Sequence, residues 1–366
     1  CYNYLTIITL ANLYINLNYG SVLQAYATQE VVKNLGYDPV VVDYRRCAET
    51  LDSLVKRYSE GRSLPHRIYR NTVWRLLYGA GEKRFKSMRE QYLTLSPHCD
   101  ETSIDALLPN TDIYLTGSDQ VWNELGDGSL DPVFFWDGLS KVEGKKVVSY
   151  AASFGRGGVV KGYESQIGNW LKRYDAISVR EDSGKDIVES YGLKAEQVLD
   201  PTLLLNRSEW NKIASEKAPV EKPYALVYNL HPDSDMLQYV KDKTAGSNLE
   251  IVSVCPTFRR RVGKQVVLPP LEDFLALFRD ASCVYTDSFH GTAFCINLGT
   301  PFVEIFPKAN AARNKSVLRL FGLEHRAWDT FQGNAWGDDI DWQHVGEVLD
   351  GERNRSLSWL DRALKE

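Results

Sequence analysis

CVYTDSFHGTAFCINLGTPFVEIF, residues 283–306, packs a buried strand, a polar turn, a helix and a second strand into one short stretch. Cys283, Val284 and Tyr285 form an apolar run that reads as strand. Gly299, Thr300 and Pro301 break the chain before Phe302 to Phe306 begins another. Between them, Thr292 to Leu298 reads as helix. In an open α/β sheet ligands sit in the crevice at the carboxyl ends of the strands, and a helix that opens there points its free N–H groups and positive dipole end into the crevice. His290 stands at that junction, with Asp287, Ser288 and Thr292 in the same turn. The turn also admits a purely structural reading, in which Ser288 or Thr292 caps the helix and a backbone carbonyl satisfies a half-buried His290. Four polar side chains in one turn, where a two-residue loop would suffice, favour a site.

Outward from this stretch, the chain alternates strand and helix signals. Leu5 to Leu10, a helix from Ser21 to Leu35 and the strand Val40 to Val42 make a βαβ unit. A polar, arginine-rich helical region follows over about residues 50–92. Ile113 to Leu115, Val147 to Tyr150, Ala176 to Val179 and Val198 to Leu199 supply further short strands, with a helix from about Asp182 to Tyr191. EKAPVEKP, residues 216–223, carries two prolines and four charges, so a linker is placed between about 206 and 223. A second set then begins, with strands at Tyr224 to Tyr228, Ile251 to Val254, Cys283 to Tyr285 and Phe302 to Phe306, and helices near 234–245, 271–280 and 290–298. The pattern predicts two tandem α/β domains, residues 1–205 and 206–345. A C-terminal helix over 346–366, with Leu357, Leu360 and Leu364 on one face, is expected to pack back on the first.

Composition bounds the function. The 366 residues are 43% hydrophobic and 25% charged, enough chain for two soluble domains. With 48 acidic against 43 basic residues the net charge is −5, and the short triplet Arg259 to Arg261 gives no electrostatic footprint for nucleic acid. Six cysteines without a CxxC pair suggest reduced, buried thiols and a cytoplasmic setting, and no acidic or His/Cys cluster has metal-ligand spacing, so no metal is expected. No apolar run approaches the ~18 residues a membrane span needs. The first residues do not read as a signal peptide, and lipidation of Cys1 is disfavoured because the strand Leu5 to Leu10 follows with almost no tether.

Other turns carry side chains suited to chemistry. NYGSVLQAYA, residues 18–27, sets Asn18, Tyr19 and Gly20 at a helix mouth, either a ligand-binding edge or a loop glycine before an amphipathic helix. TGSDQVWN, residues 116–123, puts Asp119 and Gln120 directly after a strand, where Asp119 serves as a base, a hydroxyl binder or an N-cap. ISVREDSG, residues 177–184, ends a strand on Arg180, whose guanidinium fork suits carboxylate or phosphate, or a salt bridge to Glu181 or Asp182. Arg313 and Lys315 stand at the start of another helix, either against an anionic group or on a solvated face.

Taken in order, NYGSVLQAYA, TGSDQVWN, VVSYAASFG (147–155), ISVREDSG, VLDPTLLL (198–205), YTDSFHGTAF and TPFVEIF resemble the polysaccharide pyruvyl transferase family over nearly the whole chain. The resemblance implies a GT-B-like fold, two Rossmann-like domains facing across a cleft. The implied activity moves a pyruvyl unit from phosphoenolpyruvate onto a sugar as a cyclic ketal. It further implies phosphoenolpyruvate as co-substrate with no other cofactor, and a sugar or lipid-linked glycan acceptor of a surface or exopolysaccharide precursor. The setting would be cytoplasmic, with peripheral contact at the inner face of the membrane.

In that family the basic residue of the ISVRE motif and the histidine of the His-Gly turn bind the donor, which maps onto Arg180 and His290. Many members carry an arginine two positions before the histidine, where this chain has Ser288. The donor phosphate is then expected to lean on Ser288, Gly291, Thr292, Arg313 and Lys315. His290 is assigned to acid catalysis or phosphate binding and Asp119 to the acceptor hydroxyl, with Asn18, Tyr19, Gly20 and Gln120 on the acceptor side. A GT-B glycosyltransferase using a nucleotide sugar and a non-catalytic glycan- or nucleotide-binding homologue remain as rival readings.

Overall fold

The computed structural model describes residues 17–231, 234–256, 262–306, 311–337 and 339–366, together with the backbone of a strand at Thr6–Leu10. Cys1, Leu5 and the triplet Arg259 to Arg261 lie outside the described residues.

Two wholly parallel sheets account for the strands. The first is built from β1 (Thr6–Leu10), β2 (Asp38–Val42), β3 (Ile113–Thr116), β4 (Lys146–Ala152), β5 (Ala176–Val179) and β6 (Glu196–Gln197), in the order β2-β1-β3-β4-β5-β6. The second holds β7 (Tyr224–Tyr228), β8 (Glu250–Cys255), β9 (Lys264–Val267), β10 (Cys283–Thr286) and β11 (Phe302–Glu304), in the order β11-β10-β7-β8-β9. The inner strands IYLT, YALVY and CVYT are buried along their whole length, because crossover helices cover both faces of a parallel sheet.

Helices in the first half are α1 (Tyr19–Asn34), α2 (Leu51–Ser59), α3 (Leu64–Tyr69), α4 (Arg75–Tyr92), α5 (Ile104–Leu107), α6 (Glu164–Leu171), α7 (Asp182–Ser190), α8 (Pro201–Leu204) and α9 (Arg207–Asn211). They are followed by α10 (Ser234–Thr244), α11 (Leu271–Arg279), α12 (Phe289–Leu298), α13 (Ala312–Leu320) and α14 (Trp342–Lys365). The architecture is α/β and GT-B-like, with two Rossmann-like sheets and one cleft between them.

Strand order fixes where the cleft acts. In the first sheet β1 lies between β2 and β3, so the chain leaves its carboxyl end in opposite directions there. In the second, β7 and β10 make the same kind of switch. Ligands of open α/β sheets bind at such points. The turns after β3 and β10, which carry Asp119 and His290, therefore sit where each sheet opens.

The two halves share packed apolar surface behind the cleft. Tyr19 stacks on Phe274 with ring centres 4.3 Å apart, and its hydroxyl donates to Pro269 O at 2.7 Å. Asn297 Nδ2 donates to Thr202 O and Leu205 O at 2.7 and 2.8 Å. α14 lies against the first sheet and α8: Leu360 and Leu364 are buried, and Ser356 Oγ accepts from Leu199 N–H at 3.0 Å. Each such leucine contributes about 2 kcal/mol by leaving water.

Several elements depart from the sequence pattern. β9 was not anticipated, since KQVV is half exposed and holds only the sheet edge. β6 ends at Gln197, and Val198 contributes only a bond to Val179 O. The expected linker opens on a helix, α9, because Asn206 and Glu209 form a reciprocal capping box and Trp210 is buried behind it. α14 starts at Trp342, since Val345 and Leu349 extend the apolar stripe one turn at a time. Among the described cysteines, 99, 255, 283 and 295 are buried, whereas Cys47 is exposed, contrary to the expectation of buried thiols.

Candidate functional site

The turn after β3 holds Asp119 at φ 77°, in the left-handed region that residues with a Cβ seldom adopt. Main-chain bonds offset that strain: Asp119 O accepts from Val121 N–H at 2.8 Å and from Ser153 N–H at 3.1 Å. The twist aims the carboxylate at α1, where Ser21 Oγ donates to Oδ2 at 2.6 Å, while Gln120 N–H donates to Oδ1 at 2.9 Å.

Behind Asp119 runs a buried charge cluster. Arg180, following β5, sets Nη1 2.7 Å from Asp200 Oδ2 and Nη2 3.7 Å from Asp119 Oδ1. Its guanidinium carbon lies 4.2 Å from the centre of the Phe289 ring, a cation–π contact that reaches it from α12. Asp200 precedes Pro201 at the start of α8 and accepts from Ser118 Oγ at 2.9 Å and from Thr202 N–H and Oγ1 at 2.9 and 2.7 Å. Burial raises the Asp200 carboxyl, but the His290 ring and Arg180 beside it, with the Thr202 donors, outweigh burial and hold it at about 2. Asp119 behaves alike: burial pushes up, the His290, Arg180 and Ser21 contacts pull down, and the net shift is downward.

His290, in the first turn of α12, completes the cluster. Its Nε2 is 3.7 Å from Asp200 Oδ2 and has no hydrogen-bond partner among the described residues. Burial lowers its pKa, and the two carboxylates only partly oppose that, so the ring is neutral at pH 7. Gly20 of α1 lies directly against it. A Cβ there would stand 2.8 Å from the His290 Cβ and closer still to Nδ1 and Cγ, so the bare Cα is what lets the two halves meet.

In front of the cluster opens a cavity of about 870 Å³, lined by Asn18, Ser21, Asp119, Gln120, Ser288, Phe289, His290 and Arg313, with Tyr58, Tyr69, Arg70, Trp74 and Tyr78 on the facing wall. Arg313 is the cation of the near wall. The Gln120 amide, with its oxygen turned toward the guanidinium, accepts from Arg313 at 2.6 and 3.0 Å. Burial and the neighbouring Arg180 lower Arg313 to about 10, which leaves it charged at pH 7. Ser288 caps α12, its Oγ accepting from Gly291 N–H at 3.3 Å, and so leaves the positive end of the helix at the cavity. Asp287 accepts from Leu230 and His231 N–H at 2.7 and 2.9 Å and from the His231 ring at 3.1 Å, a hydrogen bond that raises His231.

These positions correct several assignments. Tyr19 is fully buried, stacked on Phe274 with its hydroxyl committed to Pro269 O, so it joins the two halves and lies outside the cavity lining. Gly20 spaces α1 from His290 and adds no binding group. Arg180, its side chain 1% exposed, lies behind Phe289 and outside the cavity lining, paired with Asp200 and near Asp119, while its Nε and Nη2 have no hydrogen-bond partner among the described residues, so the cation of the near wall is Arg313. Thr292 is fully buried and donates to Glu304, and Gly291 packs on Thr286, so neither faces a ligand. Lys315 is exposed, 5.2 Å from the Phe306 ring centre and away from the cavity lining. Asn18 does line the cavity, but its Oδ1 already accepts from Gly20 N–H at 2.9 Å. Sequence reasoning gave no site role to Asp200, Phe289 or the aromatic wall, and offered Ser21 only as a helix cap, a place Asn18 takes. For Asp200 the signal was available, an Asp-Pro pair closing a strand.

Among the described residues, no group of three or more His, Cys, Asp or Glu side chains is placed to hold a metal ion, and no helix is long and apolar enough to cross a membrane.

No curated protein matches the chain. Among solved structures, the chain is similar to the UDP complex of MnaA from S. aureus, at 11% identity and TM-score 0.47, covering 98% of this chain and 91% of that one. It is similar also to UDP-N-acetylglucosamine 2-epimerase from Rickettsia bellii, at 11% identity and TM-score 0.45, covering 98% of each chain. The spinosyn rhamnosyltransferase SpnG gives 11% identity and TM-score 0.45, covering 99% of this chain and all of that one. The family model described as Polysaccharide pyruvyl transferase matches residues 18–305, which take in α1, the Asp119 turn, Arg180, Asp200 and the His290 turn. The chain belongs to the polysaccharide pyruvyl transferase family.

Proposed function

We propose that this protein transfers the pyruvyl unit of phosphoenolpyruvate onto a sugar of a surface or exopolysaccharide precursor, as a cyclic ketal, in the cytoplasm and with no cofactor beyond that co-substrate. The observation that carries the reading is His290, a buried imidazole with an unpartnered Nε2, set at the cavity wall beside the Asp119 and Asp200 carboxylates and the Arg313 cation.

Ketal formation adds a proton to the methylene carbon of the enol, bonds C2 to one sugar hydroxyl, breaks the C2–O bond to phosphate, and closes a second hydroxyl on C2. Of the two hydroxyl protons released, one balances the proton added to carbon and the other leaves with phosphate. An anion site and an acid are therefore needed. Arg313 and the positive end of α12 supply the anion site. His290 takes up a proton as the phosphate arrives and either donates it to the enol or keeps it against the phosphate. Asp119, held below the usual carboxylate range, is too weak a base to remove an alcohol proton unaided and orients the acceptor hydroxyl together with Ser21. Arg180 positions Asp119 and Asp200 from behind.

Ser288 favours a second reading. Without an arginine there, the cavity offers a trianionic donor one fewer counter-charge, which suits a nucleotide sugar and glycosyl transfer. One experiment decides between them: incubation with labelled phosphoenolpyruvate and a panel of lipid- and nucleotide-linked sugars, followed by mass measurement. Gain of one pyruvate ketal with release of phosphate supports the proposal. Glycosyl transfer from a nucleotide sugar, without pyruvylation, replaces it with the second reading.

A further inference from the structure

The helical layer over residues 51–92 has two unlike faces. Toward the cavity it turns Arg70, Trp74 and Tyr78, with Tyr78 stacked on Trp74 at 4.7 Å and the Arg70 guanidinium 4.9 Å from the Trp74 ring. Away from it, Leu64, Ile68, Val73 and Leu76 are 67, 55, 49 and 74% exposed. Seven large hydrophobic side chains stand out to solvent among the described residues; Tyr58 and Tyr69 also line the cavity, and four of the other five are this aliphatic set between positions 64 and 76. Scattered exposed hydrophobics are ordinary, whereas a cluster marks a surface with a partner.

Helix geometry aligns the four aliphatic residues. Leu64 and Ile68 are four apart on α3. A π-helical turn over Arg70–Trp74 then inserts one residue, so Val73 stays in line with Ile68 at a spacing of five, and Leu76 follows three later on α4. Charge accompanies the row. Between residues 56 and 75 stand Lys56, Arg57, Arg62, Arg67, Arg70 and Arg75 against Glu60 alone, in a chain whose net charge is −5. Lys56, Arg62 and Arg67 are exposed, and Arg75 meets Asp52 at 2.5 Å.

We infer that this face docks on a lipid bilayer of anionic headgroups. The aliphatic row enters the acyl boundary while Lys56, Arg62 and Arg67 meet the headgroups, the two features by which a peripheral helix holds to a membrane. The significance of the docking rests on the reading above of the cavity as a glycan-acceptor site. A helix whose outer face lies on the bilayer turns its inner face, Arg70 and Trp74, toward the cleft, where the sugar of a lipid-linked acceptor would enter.

Co-sedimentation of the full chain with vesicles tests the docking without donor or acceptor, so its outcome is independent of the transfer reaction. The protein is expected to pellet with phosphatidylcholine vesicles containing phosphatidylglycerol, to stay in solution with phosphatidylcholine alone, and to be released by salt. The triple variant Leu64→Asp, Ile68→Asp, Leu76→Asp and, separately, the double variant Arg62→Glu, Arg67→Glu should each weaken partition by about tenfold or more with unchanged circular dichroism. Equal behaviour on both vesicle types, or variants that pellet like the unaltered chain, overturns the inference. So does a concentration-dependent dimer in sedimentation equilibrium that Ile68→Asp disperses while no vesicle binding is seen, since the face would then belong to a second copy.

Discussion

Gly20 and His290, on helices from opposite halves of the molecule, touch so closely that no side chain larger than hydrogen fits between them. The contact fixes the floor of the cleft, because whatever moves α1 moves the imidazole relative to Asp119 and Asp200. Gly20→Ala isolates this. Alanine is the better helix residue by about 1 kcal/mol, so any loss of stability measures the clash, expected at about 1–3 kcal/mol. Pyruvyl transfer should fall about a hundredfold, since a misplacement of about 1 Å costs that much. Thermal melts of Gly20→Ala, His290→Ala and the double variant check the cause: the two stability losses should be non-additive, with His290→Ala relieving the clash.

Donor binding should take up a proton at His290. The free ring is kept neutral by burial, and a bound phosphate favours its charged form. Affinity for phosphoenolpyruvate, measured by isothermal titration, is therefore expected to rise as pH falls from about 8 to about 6.5, with proton uptake visible as a buffer-dependent heat. His290→Asn should remove most of this pH dependence. Whatever slope remains belongs to titration of the ligand phosphate, and an unchanged slope would show that the imidazole does not sense the donor.

Ser288→Arg tests the missing counter-charge. Ser288 lines the cavity and caps α12, so the substitution adds a cation at the donor end and removes a cap worth about 1 kcal/mol. About tenfold tighter binding of phosphoenolpyruvate is expected, with a slightly lower melting temperature. Equal or weaker binding would place the donor phosphate elsewhere in the cavity.

The fold was legible because parallel strands buried on both faces announce themselves as apolar runs, and the runs at Ile113, Tyr224 and Cys283 all became inner strands. β9 was not, because KQVV at a sheet edge has no such signature. The site divided in the same way. Asp119, Gln120, Ser288, His290 and Arg313 could be picked out because each follows a strand or opens a helix, and all five line the cavity. What the sequence conceals is which polar residues are spent on one another. Arg180 looks free in ISVREDSG, yet Asp200, twenty positions on, and Phe289, from α12 in the other half, close over it. Thr292 looks like a phosphate ligand until Glu304, on the next strand, accepts its hydroxyl. Such pairings are tertiary, and no local pattern encodes them.

Glu304 extends that pairing to a measurable pH dependence. It is fully buried on β11, accepting from Thr292 and from Asn314 Nδ2 at 2.5 Å, and burial, only partly offset by these donors, raises it to about 8. Its pKa is thus higher folded than unfolded, so its contribution to stability is fully present below about pH 4, where both states are protonated. The contribution declines as pH rises toward 8, because the unfolded chain then releases a proton that the folded one retains. The slope is at most about 1.4 kcal/mol per pH unit for one proton. Glu304→Gln keeps an oxygen for Asn314 and offers an N–H to the Thr292 hydroxyl, which can still donate to Ser288 O at 3.3 Å. The variant is expected to match the unaltered protein near pH 5 and to exceed it in urea midpoint near pH 8. Parallel pH profiles of the two proteins would place the burden of alkaline instability on some other group.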